Sequence, residues 1–175
     1  LAQAIAQTGR RVLLLDADLG LANADVQLGL APRLDLGAVL AGRVAAEAAV
    51  MPHPAGFGVL PGRSGSGALA GLDGGALDAL LDLPRRLAAS RDAVMVDLGA
   101  GLGAAQRRLL ACADLPLVIA TEEPTSVTDA YAVLKLLAAD APGREARLVV
   151  NLASAAAAAA RTHATLEAAT RRFLG

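Results

Sequence analysis

Residues 10–23 read RRVLLLDADLGLAN. Four consecutive apolar residues, Val12 to Leu15, follow two arginines and run into Asp16 and Asp18 without the polar–apolar alternation of a half-exposed strand. An apolar run bounded in this way predicts a strand covered on both faces, as in a parallel sheet. Upstream, residues 1–8 place Leu1, Ala4 and Ile5 at helical spacing, and Gly9 stands where a left-handed helix end is expected. Downstream, three more apolar runs, AVMVD (93–97), LPLVIAT (115–121) and ARLVVN (146–151), alternate with helix-like stretches at 75–90, 104–113, 126–140 and 154–175. Strands alternating with helices predict an α/β fold, a doubly wound and mainly parallel sheet with helices on both faces. The Gly-, Pro- and Ser-rich run 51–75 predicts loops around one short strand, FGVLP (57–61).

The composition agrees with one such domain over residues 1–175 and narrows the function. Sixteen Lys and Arg stand against 17 Asp and Glu, a net charge of -1, so there is no global basic field and no direct nucleic-acid contact is expected. With 2% aromatic residues in a chain that is 55% hydrophobic, the core must be aliphatic and alanine-rich. The single cysteine, Cys112, cannot form an internal disulfide, which fits a reducing compartment; its place in an apolar helix predicts a packing role. No apolar run approaches the roughly 20 residues of a membrane span, and the first residues lack a basic segment followed by an apolar one, so a cytoplasmic protein is expected.

In an open parallel sheet, ligands bind beyond the carboxyl ends of the strands. Asp16 and Asp18 follow the first strand, Asp97 closes the second long run, TEEPTSVTD follows the third, and Asn151 ends the last. Three carboxylates and an amide at strand ends suit a magnesium ion held through water together with a nucleotide phosphate. The competing reading makes each aspartate a helix N-cap, and repetition at several strand ends weighs against it. Asp97, followed by Gly99 and Gly101, stands as a Walker B acid should, and Asp18 is the candidate to orient an attacking water. The phosphate cradle is missing: no GxxxxGK[ST] run occurs, and the one lysine, Lys135, lies mid-helix.

Taken together, DADLGLANADVQLGL (16–30), LDLGAVLAG (34–42), VLPGRSGSGALAGL (59–72), VMVDLGAGLG (94–103), EEPTSVTDAYAVLKLL (122–137) and VVN (149–151) resemble the MinD/ParA family of deviant Walker A ATPases, most closely its flagellar-number regulator branch of the FlhG/FleN type. The resemblance implies a P-loop NTPase-like fold that is incomplete at both ends. Its phosphate-binding loop would precede Leu1, and further strands with an amphipathic membrane-targeting helix would follow Gly175. It implies ATP and Mg²⁺ as cofactors. Asp18 would be catalytic and position the hydrolytic water; Asp16 and Asp97 would lie at the magnesium; Asn151 would bond the adenine edge; Glu123 and Pro124 would shape the loop beside the nucleotide. Residues 20–25 would be a switch. Asp129 matches a family aspartate, although a capping box with Ser126 is the favoured reading.

The implied function is an ATP-binding and hydrolysing switch that regulates flagellar number or placement. Its partners would be a second copy in an ATP-dependent homodimer, the inner face of the membrane through a segment outside these residues, and proteins of flagellar assembly or polar localisation. ATPase activity is implied for the longer protein and stays open for residues 1–175 alone, which lack the Walker A motif. Two alternatives stay open within the superfamily: a non-catalytic scaffold or localisation protein without a P-loop, and a cell-division or partitioning ATPase. A dinucleotide-binding Rossmann domain is disfavoured because no GxGxxG follows the first strand. His53 and His163, with no partner at metal-ligand spacing, are expected at the surface, as are the arginine pairs 85–86, 107–108 and 171–172.

Overall fold

The computed structural model describes residues 1–18, 20–62 and 74–174. They form two compact units, Leu1–Gly101 and Leu102–Gly175. The motif at 59–72 is described only through residue 62; the rest of it lies outside the described residues.

In the first unit, helix α1 (Ala2–Ala6) leads into strand β1 (Val12–Asp16), with Gly9 at φ +83° after the helix as its position suggests. Three short helices follow, α2 (Ala24–Gln27), α3 (Leu36–Leu40) and α4 (Ala46–Ala49), then strands β2 (Met51–Pro52) and β3 (Gly58–Leu60), helix α5 (Gly74–Ala88) and strand β4 (Ala93–Asp97). The strand order is β2-β3-β1-β4: β1 runs parallel to β3 and β4, and β2 is antiparallel to β3. β1 is therefore interior, with Val12, Leu13 and Leu15 buried as the unbroken apolar run requires. Its Val12 face packs in a cluster with Ala2, Phe57 and Val59, bordered by Ile5, Leu28 and Met95. Leu13 and Leu15 point to the opposite face by the two-residue alternation of a strand. Helix α5 packs on β4 and buries Leu80, Leu83 and Leu87, spaced three and four apart on one helical face. Each such leucine contributes about 1.5–3 kcal/mol by leaving water.

β4 is less covered than an unbroken apolar run suggests: residues 93–96 are partly buried and Asp97 is exposed, and among the described residues β4 pairs in this sheet with β1 alone.

The second unit contains helix α6 (Ala104–Cys112), strand β5 (Leu117–Ala120), helix α7 (Pro124–Asp140), strand β6 (Arg147–Val150) and helix α8 (Ala156–Phe173). β5 and β6 pair in parallel, so β5-α7-β6 is a crossover unit. Val118 and Ala120 of β5 are buried against Ala130 of α7 and Leu166 of α8, with Val127, Tyr131 and Leu148 around them. The other sheet face carries Ile119 and Val149, which are opposite each other in register and exposed. α6 is tied to α7 by the guanidinium of Arg107, whose Nε donates to Asp140 Oδ2 at 2.7 Å. Cys112 is exposed, not packed: it is the last residue of α6, which buries Leu109 a turn earlier. The whole is the mixed α/β, mainly parallel architecture that the sequence predicts. Among the described residues, no helix is long and apolar enough to cross a membrane.

Candidate functional site

Parallel pairing puts Asp16 and Asp97 opposite each other at the ends of β1 and β4, and the Asp97 carbonyl accepts the Ala17 N–H at 2.9 Å. Two acids thus close adjacent strands at one level. Asp16 is buried, and both of its carboxylate oxygens are engaged: Oδ1 accepts the Asp18 N–H at 3.1 Å and Oδ2 the Ala24 N–H at 3.0 Å. Ala24 opens α2, so Asp16 also receives a free donor at a helix N-terminus, eight residues away in sequence. The N-cap residue of α2 is Asn23, not Asp16, so Asp16 serves the helix start from a distance, alongside its place in the acid cluster.

Asp18 folds its own loop. Its Oδ1 accepts the N–H groups of Gly20 and Leu21, each at 3.0 Å, the local bonding that aspartate brings to turns. Oδ2 makes no hydrogen bond among the described residues, and so one acceptor is left over. Two glycines admit these carboxylates. A β-carbon at Gly99 would collide with the Asp18 carboxylate, and one at Gly62 would sit 3.0 Å from the Asp16 carbonyl oxygen and 3.1 Å from its Cγ, closer still to Ala22. Gly99 was visible in sequence as the glycine behind a Walker B-like acid. Gly62 carries no comparable signal, because the groups it makes room for, Asp16 and Ala22, lie about 40 residues away in sequence.

Asp97 lies at the exposed end of β4, yet its carboxyl is pushed above the usual range for an aspartate. Partial desolvation is the main cause, and the negative charges of Asp16 and Asp18 add to it. A carboxyl held above its usual range beside two other acids gains from a nearby cation. The donor set fits magnesium held through water: Asp97 has no side-chain hydrogen bond among the described residues, and Asp16 offers a fixed charge whose oxygens are already engaged. Among the described residues, no group of three His, Cys, Asp or Glu side chains is placed to hold a metal directly, so the acids do not form an all-protein cage.

The remaining predicted residues belong to the second unit. Glu123 is the N-cap of α7 with extended backbone and no side-chain cap bond, and Pro124 is the first helical residue, where its missing N–H costs nothing. The helix thus begins before Ser126. The Ser126 hydroxyl reaches back to accept the Thr121 N–H at 2.9 Å, so the capping box of Ser126 with Asp129 is not formed, and Asp129 stands a turn inside the helix. Asn151 follows β6 directly and is exposed; its N–H donates to the Ala120 carbonyl at 2.8 Å, and its side-chain amide makes no hydrogen bond among the described residues. Glu122 was missed in sequence. Both of its carboxylate oxygens bond Ser154, one accepting the backbone N–H and the other the hydroxyl at 3.2 Å. Nothing local announces a contact 32 residues away.

The structure brings Asp16, Asp18 and Asp97 together in the first unit, and Glu122 and Asn151 to neighbouring strand ends in the second. His53 is partly buried, its ring stacked on Phe57 and its Nδ1 accepting the Ala55 N–H; His163 is exposed near Glu167.

No protein-family profile matches the chain. Among individual proteins, it is 38% identical to the antiactivator FleN of Pseudomonas aeruginosa, over 99% of this chain and 62% of FleN. It is 31% identical to the flagellum site-determining protein YlxH of Helicobacter pylori, over 78% of this chain and 46% of YlxH. The chain thus spans between about half and three fifths of these relatives' lengths. Among solved structures, the septum site-determining protein MinD of Pyrococcus horikoshii, complexed with Mg-ADP, superposes with a TM-score of 0.70 at 23% identity, covering 84% of this chain and 58% of that one. That likeness is one of fold.

Proposed function

The chain belongs to the MinD/ParA family, as a FleN/FlhG-type member, and from that premise we propose that the protein carrying it is an ATP-binding and hydrolysing switch that controls flagellar number or placement. The observation that carries this reading is the alignment of Asp16 with Asp97 at adjacent strand ends, with Asp18 seated against Gly99 beside them. Such a cluster beyond the carboxyl ends of parallel strands is where this architecture places its ligand.

Each acid takes a separate task. Asp97, whose carboxyl is pushed up by partial desolvation and then by the charges of Asp16 and Asp18, gains from a magnesium ion; Asp16 sits in a rigid position and reaches the ion through water. Mg²⁺, when bound, offsets negative charge on the nucleotide phosphates. Asp18 keeps its Oδ2 to accept a hydrogen bond from a water and fix its orientation, while its Oδ1 is committed to Gly20 and Leu21. This division suits a reaction in which the protein's part is positioning and electrostatic stabilisation. Asn151 offers a carboxamide, donor and acceptor at once, to a purine edge, and Glu123 with Pro124 fixes the loop at the start of α7. Dimerisation on ATP, peripheral membrane association and flagellar protein partners are part of the same proposal.

The test uses the full-length protein that contains this chain. Magnesium-dependent ATP hydrolysis and a monomer-to-dimer shift on ATP by light scattering are expected. Asp18→Ala is expected to abolish turnover while leaving ATP-dependent dimers. A well-folded full-length protein that binds no nucleotide would overturn the proposal and leave a scaffold of the same superfamily.

A further inference from the structure

We propose that Glu122 is a positioning residue for base recognition, holding residues 151–154 in the shape from which Asn151 meets a purine base; the inference rests on the nucleotide-binding reading above. The parallel ladder of β5 and β6 pairs Ala120 with Val150, and its last rung is the Asn151 N–H on the Ala120 carbonyl. Beyond that rung the chain has no sheet to hold it. Leu152 adopts φ +52° and is 84% exposed.

A leucine in the left-handed region is held there only by its surroundings, since its β-carbon crowds the following carbonyl and no burial of the side chain compensates. The restraint comes from Glu122, two residues past the end of β5. One of its carboxylate oxygens accepts the Ser154 N–H and the other the Ser154 hydroxyl. A carboxylate that takes both donors of one residue fixes its position and orientation together. Residues 151–153 therefore form a short arch pinned at both ends, by the Ala120 rung and by Glu122. α8 begins two residues beyond Ser154.

The Asn151 amide is the polar group carried at the base of this arch, and it is unpaired among the described residues. A carboxamide matches a donor–acceptor edge, and how well it distinguishes one purine from another depends on how firmly its backbone is placed. An amide on a pinned arch presents its donor and acceptor at fixed points. On a loose arch it pairs weakly with any base. Glu122 thus supplies base selectivity, whereas affinity for the triphosphate comes from elsewhere.

The experiment uses the full-length protein and two readouts. In the nucleotide-free state, amide hydrogen exchange is measured at Ser154: Glu122→Ala is expected to speed it by roughly tenfold or more, with Glu122→Gln, which keeps an acceptor oxygen, closer to wild type. ATP and GTP are then competed against a fluorescent ATP analogue. Wild type is expected to prefer ATP, and Glu122→Ala to lose roughly tenfold of that preference, on the scale of one hydrogen bond, with GTP affinity changed less than about twofold. Ser154→Ala, which keeps the backbone bond and loses the hydroxyl, is expected to fall between and serves if Glu122→Ala misfolds. Unchanged Ser154 exchange in Glu122→Ala, or faster exchange with the ATP:GTP ratio intact, overturns the inference while leaving the nucleotide-binding reading in place. Wild-type protein that binds both nucleotides equally removes the base-contact role of Asn151 and this inference with it.

Discussion

Gly99 lies so close to Asp18 that a β-carbon at position 99 would fall inside the Asp18 carboxylate. The turn after β4 and the turn after β1 are thereby fitted to each other through one residue without a side chain. Gly99→Ala must displace either the backbone or the carboxylate, and overpacking of this kind costs about 1–3 kcal/mol. Urea denaturation should show that loss, and, on the proposed function, full-length protein should lose about a hundredfold in ATP turnover because the carboxylate proposed to orient the water has moved. Gly74→Ala, where nothing lies within 4 Å of the added carbon, is the control and should change stability by less than about 1 kcal/mol. A Gly99→Ala protein as stable and as active as the control would contradict this account of the contact.

Asp16 contributes to stability independently of any ligand, because it receives two backbone donors below the surface. Asp16→Ala leaves the N–H groups of Asp18 and Ala24 without acceptors and is expected to cost about 1–3 kcal/mol. Asp16→Asn, which keeps one acceptor oxygen in place, should fall between Asp16→Ala and wild type in urea midpoint. Equal midpoints for all three would show that water replaces the carboxylate at no cost.

The parts of the fold that were legible in sequence are those where one local signal decides. The run Val12–Leu15 specified an interior strand, and α5 to α8 followed from their apolar spacing and length. The short helices α2, α3 and α4 are one turn each, too short for periodicity to register. β2 contains Pro52, which demotes a strand in sequence and suits the edge position it occupies. Ser126 misled because its hydroxyl does accept a backbone N–H, but from Thr121 behind it instead of from the helix ahead. At the site, the acids were legible because they end apolar strands. Gly62 and Glu122 were not, because what gives them meaning is a neighbour brought by the fold: Asp16 at the end of the adjacent parallel strand in one case, Ser154 across a crossover in the other.

The pair Arg11–Asp92 makes the acid limb of stability measurable. Arg11 donates through its backbone N–H, Nε and Nη2 to Asp92, which holds the aspartate down from its ordinary 3.8 to about 2. A depressed carboxylate stabilises the fold above its unfolded pKa, and that contribution is lost as pH falls toward 2. Wild type should therefore exceed Asp92→Asn in urea midpoint at pH 6, with the gap closing between pH 4 and 2. Both groups are exposed, so added salt should narrow the gap at pH 6. A gap that persists at pH 2 would rule out the ion pair as its origin.

Asp97 carries the opposite sign. Its carboxyl is raised by desolvation and by the charges of Asp16 and Asp18, so the folded state holds its proton more tightly than the unfolded chain does. The favourable contribution is present below the ordinary aspartate range and is lost as pH rises through the raised value; at neutral pH the ionised Asp97 is a burden on the fold. Asp97→Asn removes that burden, and without magnesium it should unfold at higher urea than wild type at pH 7, an advantage that disappears near pH 3. The same substitution should weaken magnesium-dependent nucleotide binding in the full-length protein, the exchange of stability for function expected where like charges are gathered for a ligand. If Asp97→Asn is less stable than wild type at pH 7 without magnesium, desolvation and the neighbouring acids do not burden the ionised Asp97, and the case for a cation beside it loses its electrostatic support.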